Sequence, residues 1–177
     1  MSLAKVLSSH VAYNGSHVRV REDTVIEPSG RQCRREIVVH PGAVCIVARP
    51  SVEDVILIRQ YRHAAGQELL EIPAGTLHDG EDPRECAIRE LEEEAGYYAA
   101  TMTERARFWT TPGFTTEFMY LYEAQDLTKT QVHPDEDEVI EVEIVSRSEA
   151  LRLIREGRLR DAKSILGLLH IFCKDLR

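Results

Sequence analysis

Two apolar runs in the first half of the chain predict buried strands. The runs are AVCIVA at residues 43–48 and VILI at residues 55–58, and Arg49-Pro50-Ser51 separates them. Continuous apolar runs of this length are typical of strands that are covered on both faces. Further along, FMYLYEA at residues 118–124 predicts another strand, and VIEVEIV at residues 139–145 alternates with period two. These runs favour a sheet covered by helices, which is the α/β class.

A different pattern, of short strands with frequent reversals, fills residues 7–39. Asn14-Gly15 lies between LSSHVAY and SHVRVRE, and this dipeptide is a strong signal for a hairpin. Pro28-Ser29-Gly30 marks the next reversal. We therefore expect a small antiparallel β unit in residues 1–40, followed by a main domain in residues 41–177.

The clearest helix is predicted over Pro83–Ala95. Asp82 stands at the N-cap, Pro83 at the first helical position and Glu85 at the third, which is a variant of the capping box. Gly96 follows the last helical residue, where a left-handed conformation commonly ends a helix. Both ends of this helix are therefore specified by local signals.

Two further helices are predicted near the C-terminus. Ser146, with Glu149 three residues later, opens the first, and Gly157 lies close to its end. Asp161 opens the second. These helices complete the expected α/β arrangement.

Length and charge narrow the class of protein. A chain of 177 residues is about one domain long. Its net charge of −8 argues against general affinity for nucleic acid or for an anionic membrane. No run approaches the 18 apolar residues of a membrane span, and the first residues lack a secretory signal, so we expect a cytoplasmic protein. The four cysteines lack metal-ligand spacing and are expected to be buried thiols.

The predicted helix 83–95 carries an unusual number of acidic residues. Glu90, Glu93 and Glu94 project to one side of it, with Arg89 four positions before Glu93. Carboxylates three and four positions apart repel each other, so some positive charge should compensate them. Mg²⁺ does this well, because it prefers oxygen ligands and takes others from substrate phosphates. The alternative is a helix whose acidic face is simply solvated.

The residues around this helix resemble the complete Nudix box, G-x5-E-x7-R-E-U-x-E-E-x-G-U, where U is bulky and apolar. The matching positions, in order, are Gly75, Glu81, Arg89, Glu90, Leu91, Glu93, Glu94, Gly96 and Tyr97. Tyr97 is a polar-tipped choice at the last position. The resemblance implies a Nudix α/β/α sandwich with a mixed sheet, here preceded by the small N-terminal antiparallel β unit.

The segment EIPAG at residues 71–75 is similar to the corresponding segment of the ADP-ribose pyrophosphatase branch of the family. Pro112 lies 16 residues beyond Gly96, a spacing that resembles the proline marker of that branch. An ordinary turn would also explain Pro112-Gly113.

The resemblance also implies roles for individual residues. A divalent cation, Mg²⁺ or alternatively Mn²⁺, is expected on the following ligands: the Ala74 carbonyl, Glu90, Glu93, Glu94 and Glu138. Arg89 would orient the glutamates, Gly75 and Gly96 would permit tight turns, and Glu81 would steady the loop. In the acidic loop at residues 135–138, Glu136 matches the position of the catalytic base, with Glu138 as the alternative. A solvated loop is the usual fate of such a run of charge.

Three residues outside the box are expected near the substrate. By resemblance Arg62 contacts the diphosphate, although a surface ion pair is the alternative. Arg35 matches a position that the family's partner subunit uses near the adenine, and Glu117 helps to place the substrate. The resemblance of the N-terminal β unit to a region that relatives exchange or pack favours a homodimer. No histidine is assigned a role.

These roles imply hydrolysis of a nucleoside diphosphate sugar, with ADP-ribose giving AMP and ribose 5-phosphate. GDP-mannose or another nucleoside diphosphate sugar is the alternative substrate. A non-catalytic domain that senses a nucleotide is the alternative of a different class, and it predicts a broken box. We expect a small-molecule substrate and neither a nucleic acid nor a membrane as partner.

Overall fold

The structure of the protein is a computed structural model that describes residues 3–131 and 139–173. The strands in these ranges are β1 (Lys5–Asn14), β2 (Arg19–Ile26), β3 (Gln32–Val39), β4 (Ala43–Ala48), β5 (Asp54–Arg62), β6 (Gln67–Glu71), β7 (Ala74–Thr76), β8 (Tyr97–Trp109), β9 (Phe118–Lys129) and β10 (Ile140–Ser146). The helices are α1 (Pro83–Ala95), α2 (Arg147–Arg155) and α3 (Ala162–Phe172). A 3-10 turn covers His63–Ala65.

The contacts divide the chain into two units. The first unit comprises Met1–Gly42 together with Phe108–Phe118, and the second comprises Ala43–Arg107 together with Met119–Arg177. The first break lies close to the expected boundary after residue 40. The segment Phe108–Phe118 is remote in sequence from the N-terminal strands, so sequence patterning gave no reason to group it with them.

The first unit is built on an antiparallel sheet with the order β1-β2-β3. Asn14 pairs with Arg19 across the first hairpin, which places the turn at the predicted Asn14-Gly15 dipeptide. Strand β1 lies at one edge of this sheet, and all of its residues are exposed. The antiparallel β unit predicted from the sequence is present.

The second unit contains two sheets. The four-stranded sheet has the order β7-β4-β9-β8, and the three-stranded sheet has the order β10-β5-β6. Strand β4 pairs in parallel with β9, with Val44 opposite Tyr120, and antiparallel with β7. The four-stranded sheet is therefore mixed, as expected.

Helices cover both faces of β4, and all six of its residues are buried. Val44, Ile46 and Ala48 share a core with the buried residues of α1. On the other face, a Cβ added at Gly167 of α3 would lie 3.2 Å from Val47, so this helix approaches the strand closely. The layers are those of an α/β/α sandwich, and the predicted fold class is confirmed.

Side-chain caps fix the ends of the helices. The carboxylate of Asp82 accepts hydrogen bonds from the backbone N–H groups of Arg84 and Glu85. Gly96 ends α1 with a φ of 70° and donates its N–H to the carbonyl of Glu92. Ser146 and Asp161 cap α2 and α3 in the same way. The three predicted helices and their caps are confirmed.

Strand β8 was not anticipated from the sequence. Only Ala99 and Met102 of its 13 residues are buried, and the TERAR stretch is polar. Pairing with β9 forms this strand, and such pairing leaves a weak sequence signal.

The expectation of buried thiols is correct for two cysteines and wrong for two. Cys45 and Cys86 are buried, whereas Cys33 and Cys173 are only partly buried, and all four are free. Cys33 lies on β3, at one edge of the three-stranded sheet, and Cys173 follows the last turn of α3. Both positions limit the number of neighbours that can cover a side chain.

Glu123 of β9 is a buried carboxylate held between two arginines. Its side chain is 3% exposed, and Arg49 Nη1 donates to Oε1 at 2.6 Å. Arg105 Nε donates to Oε2 at 2.7 Å. Burial alone would raise the pKa of Glu123, but the bonds from both arginines outweigh it and lower the pKa below 4.5. This cluster joins β8 and β9 to the residue that follows β4.

In the part of the chain that the structure describes, no helix has both the length and the apolar character needed to cross a bilayer.

We expect Glu123→Gln to lower the free energy of unfolding at pH 7 by about 3 kcal/mol, because it leaves two arginines without their anion. Because the folded pKa is lowered, the charged carboxylate stabilises the protein fully above pH 4.5 and loses this effect as the pH falls below it. Urea unfolding at pH 7 and at several values below 4.5 measures both effects. The variant should show a shallower loss of stability with acid than wild type. Glu141→Gln, at an exposed position of β10, is the control. Identical acid slopes for Glu123→Gln and wild type would contradict this account.

Candidate active site

Gly75 and Glu90 approach each other closely enough to exclude a side chain at residue 75. A Cβ added there would lie 1.8 Å from Cδ of Glu90 and 1.9 Å from its Oε1. Gly75 belongs to β7, which pairs with β4, and Glu90 projects from α1. The carboxyl group of Glu90 therefore occupies the space beside the glycine, at the point where helix and strand come together.

Arg89 joins the loop before α1 to the acidic face of the helix. Its Nε and Nη2 donate to Glu81 Oε1 at 2.9 Å and Oε2 at 3.1 Å. Its Nη1 donates to Glu90 Oε1 at 2.7 Å and to Glu93 Oε2 at 2.8 Å. One guanidinium thus binds three carboxylates.

These contacts shift the pKa values of Glu81 and Arg89. The hydrogen bond from Arg89 lowers the pKa of Glu81 to about 2. The bond to Glu81, together with the charges of the other glutamates, raises the pKa of Arg89. Glu81 also accepts the backbone N–H of His78 at 2.8 Å, so its carboxylate is fixed to the loop as well as to the helix.

Glu94 is the buried acid of α1. The residue is 4% exposed, and its Oε2 accepts the backbone N–H of Ala74 at 2.8 Å. A buried carboxylate is costly unless it is paired or binds a cation. The contact brings the end of the EIPAG segment to the same region of α1 as Glu90.

The donor atoms gathered here fit a hard divalent cation. Carboxylate and carbonyl oxygens are the ligands that Mg²⁺ prefers, and Glu90 fills the space at Gly75 where a side chain would otherwise lie. Within residues 3–131 and 139–173, no three His, Cys, Asp or Glu side chains are already arranged to hold a metal ion. Arg89 Nη1 binds both Glu90 and Glu93 and so offsets part of the negative charge on this face of the helix.

Arg62, expected at the diphosphate, binds a buried carboxylate. Its Nε and Nη2 donate to Glu71 Oε1 at 3.0 Å and Oε2 at 2.9 Å, and Glu71 is 1% exposed. Lys163 of α3 also binds Glu71, and it pairs with Asp161 at 3.0 Å. Burial would raise the pKa of Glu71, but the bonds from Arg62 and Lys163 lower it overall. Sequence reasoning gave no role to Lys163 or to Glu71, although Glu71 begins the EIPAG segment.

The first unit holds the two remaining residues expected near substrate. Arg35 lies on β3 and donates to Glu27 Oε1 at 2.5 Å. Glu117 precedes β9, and its Oε2 accepts the hydroxyl of Thr110 at 2.5 Å. Neither residue is fully buried, so both side chains remain open to solvent.

A cavity of about 420 Å³ lies within this unit. Its lining is mostly apolar and aromatic, and the residues are Arg35, Glu36, Ile37, Trp109, Pro112, Gly113, Phe114, Thr115 and Thr116. Trp109 is held edge-on to Phe118, with ring centroids 4.8 Å apart. The predicted Arg35 and the Pro112-Gly113 turn thus line the same cavity.

Glu136 and Glu138, predicted as base and additional metal ligand, lie outside the described residues.

We expect Gly75→Ala to weaken binding of Mn²⁺ by about tenfold or more, because the new methyl group displaces the Glu90 carboxylate. Titration of the purified protein with Mn²⁺, followed by electron paramagnetic resonance, measures this affinity. Gly113→Ala is the matched control, since an added Cβ there meets nothing within 4 Å. Equal Mn²⁺ affinity for Gly75→Ala and Gly113→Ala would show that Glu90 does not contribute to a cation site.

Comparison with known proteins identifies the family. The model of the NUDIX domain matches residues 38–167. A methanol dehydrogenase activator from Bacillus methanolicus is 38% identical over 169 residues, which cover 94% of this chain and 91% of the relative. An ADP-ribose pyrophosphatase from Bacillus subtilis (strain 168) is 35% identical over 173 residues, which cover 97% of this chain and 94% of the relative. A GDP-mannose pyrophosphatase from Cronobacter sakazakii is 35% identical over 139 residues, which cover 73% of this chain and 72% of the relative.

A solved structure shows the same fold. The crystal structure of an ADP compounds hydrolase superposes with a TM-score of 0.86 at 23% identity and covers 97% of this chain and 93% of its own. The family model spans most of the chain, and relatives above 30% identity extend over nearly all of it. The resemblance stated from the sequence is confirmed: the chain belongs to the NUDIX family.

Proposed function

We propose that the chain is a metal-dependent hydrolase of nucleoside diphosphate sugars and that it cleaves ADP-ribose to AMP and ribose 5-phosphate. The observation that carries the proposal is the position of two carboxylates at one end of an intact Nudix box. The carboxylate of Glu90 lies beside Gly75, and that of Glu94 accepts the backbone N–H of Ala74. The ADP-ribose pyrophosphatase of Bacillus subtilis aligns along 97% of this chain and supports the substrate class.

The proposed cofactor is Mg²⁺, with Mn²⁺ as the alternative. The residues that would hold it are the Ala74 carbonyl, Glu90, Glu93, Glu94 and Glu138. Bound there, the cation supplies positive charge that stabilises the charge developing on the diphosphate. Arg89 fixes two of these carboxylates and anchors them to Glu81 on the loop.

Glu136 is the proposed general base. It would accept the proton of the attacking water, and its place in an acidic loop suits a group that approaches only over bound substrate. Without substrate, the helix carboxylates would repel it. Glu138 is the alternative base, since an alignment of this loop can shift by two residues.

Arg62, Arg35 and Glu117 are the proposed substrate contacts. A guanidinium suits a diphosphate because it presents several donors in one plane, and Glu71 holds Arg62 by two of them. Arg35 is proposed near the base of the nucleotide, contributed from the partner subunit. Glu117 is proposed to accept hydrogen bonds from the sugar.

The chain is further proposed to form a homodimer through its N-terminal β unit. Exposed apolar side chains on β1 support this proposal, namely Val6, Leu7, Val11 and Tyr13. A solution mass near 20.1 kDa at micromolar concentration would contradict it. The four free thiols suit a reducing compartment, and we propose the cytoplasm.

A substrate panel tests the proposed activity directly. We expect ADP-ribose, incubated with Mg²⁺, to give AMP and ribose 5-phosphate faster than GDP-mannose and UDP-glucose are cleaved, and we expect chelator to abolish the reaction. Chromatography with mass spectrometry identifies the products. Faster cleavage of GDP-mannose would move the assignment to the alternative substrate. No cleavage of any of the three sugars would favour a nucleotide-sensing domain instead.

We expect Glu94→Gln to lower kcat by roughly a thousandfold, because it removes a charge that is felt mostly in the transition state. Steady-state kinetics with ADP-ribose measure the change, and circular dichroism confirms that the variant is folded. Glu92→Gln makes the same change of charge on the same helix and should keep wild-type turnover. Near-normal kcat for Glu94→Gln would refute its assignment as a ligand.

Glu136→Gln should lower kcat by about 100-fold or more, the usual contribution of a general base, with a modest change in KM. Glu138→Gln, measured in parallel, separates the two candidates. Full activity of Glu136→Gln with a large loss for Glu138→Gln would assign the base to Glu138. Full activity of both variants would exclude the acidic loop from proton transfer.

A further inference from the structure

Fixed contacts surround the carboxylate of Glu117 in the first unit. The hydroxyl of Thr110 donates to Oε2 at 2.5 Å. The backbone N–H of Glu117 donates to the hydroxyl of Thr115 at 3.1 Å. The other carboxylate oxygen, Oε1, lies 3.7 Å from Nε2 of His40. One oxygen is thus bonded directly, while the second faces an imidazole at a longer distance.

The backbone of His40 is tied to the residue that precedes Glu117. The N–H of His40 donates to the hydroxyl of Thr116 at 2.8 Å, and the same hydroxyl donates to the carbonyl of His40 at 3.1 Å. The backbone N–H of Thr116 also donates to the carbonyl of Val38 at 3.0 Å. These bonds hold the backbone of His40 next to the segment that carries Glu117.

The tautomer of His40 follows from its second ring nitrogen. The N–H of Gly42 donates to Nδ1 at 3.1 Å, so Nδ1 carries a lone pair. In the neutral ring the proton then resides on Nε2, the nitrogen that faces Glu117. The imidazole thus presents a donor to the carboxylate, while a distance of 3.7 Å exceeds that of a direct hydrogen bond. Oε1 keeps capacity to accept from another donor.

We propose that His40 is a positioning residue that orients the Glu117 carboxylate for the hydroxyl groups of the substrate's terminal sugar. This inference rests on the proposed function, in which Glu117 accepts from the sugar. The hydroxyl of Thr110 binds Oε2 of Glu117, and the Nε2–H group of His40 orients Oε1 by its dipole. Because no direct hydrogen bond is formed at 3.7 Å, Oε1 can still accept a hydrogen bond from the sugar. The carboxylate side chain is 28% exposed, which leaves it accessible to a ligand.

Two substitutions separate this role from a purely structural one. The amide of Asn reaches the position of Nδ1, so His40→Asn keeps an acceptor for Gly42 but loses the donor towards Glu117. The longer Gln reaches the position of Nε2, so His40→Gln keeps that donor but loses the acceptor. A positioning role predicts rescue by Gln, whereas a role in holding the backbone at Gly42 predicts rescue by Asn.

We expect His40→Asn to raise KM for ADP-ribose about tenfold with little change in kcat. The reason is that a misoriented Glu117 loses its contact with the sugar, which is made equally in the ground state and the transition state. His40→Gln should stay within about threefold of wild type. In a Glu117→Gln background, His40→Asn should have no further effect, since the two residues act as one unit. With the methyl ester of ADP, which lacks the sugar, His40→Asn should match wild type. Thermal unfolding of each variant verifies the fold.

Equal kinetics for the Asn and Gln variants, or additive losses with Glu117→Gln, would overturn the positioning role while leaving the hydrolase intact. Rescue by Asn alone would assign His40 to the backbone at Gly42 and would overturn it as well. If wild type cleaves no nucleoside diphosphate sugar, the proposed function fails and the inference fails with it. That result appears before any substitution is made, so the two failures are distinguishable.

Discussion

Repulsion among acidic side chains on a single helix is the constraint on which the site depends. Carboxylates three and four positions apart destabilise a helix unless positive charge lies close to them. Arg89 supplies that charge by binding Glu81, Glu90 and Glu93 with one guanidinium. The same bonds tie the loop before α1 to the helix, so one residue both stabilises the fold and fixes the direction of the acids. A solvated helix would need neither feature.

Close approach of backbone to side chain is the second requirement of this arrangement. Glu90 fills the space that a side chain at residue 75 would need, and Glu94 is buried against the backbone of Ala74. A buried carboxylate is costly unless it is paired or binds a cation, and carboxylate oxygens are ligands that Mg²⁺ prefers. Close packing of α1 against β7 thus keeps the carboxylate oxygens of the box together. The proposed chemistry uses this concentration of negative charge to bind a cation.

Local signals predicted α1 to the residue because its caps lie within the segment itself. Asp82 and Gly96 set its ends by hydrogen bonds to residues within five positions, so the capping residues can be recognised from the local sequence. Strand β8 escaped prediction because pairing with β9 decides it. The acids of the proposed site were predicted from motif spacing. Lys163 and His40 were not found, because their partners Glu71 and Thr116 lie 92 and 76 residues away in sequence. Contacts of that kind carry no periodicity and no motif.

The central claim is that Glu90 and Glu94 hold a divalent cation to which a nucleoside diphosphate binds. The most direct test is a crystal structure with Mn²⁺ and a non-hydrolysable ADP-ribose analogue, in which anomalous scattering locates the ion. The account predicts an anomalous peak within about 2.3 Å of carboxylate oxygens of both residues, with the diphosphate as a further ligand. Analogue bound with no peak beside α1, or a peak held by other side chains alone, would contradict it.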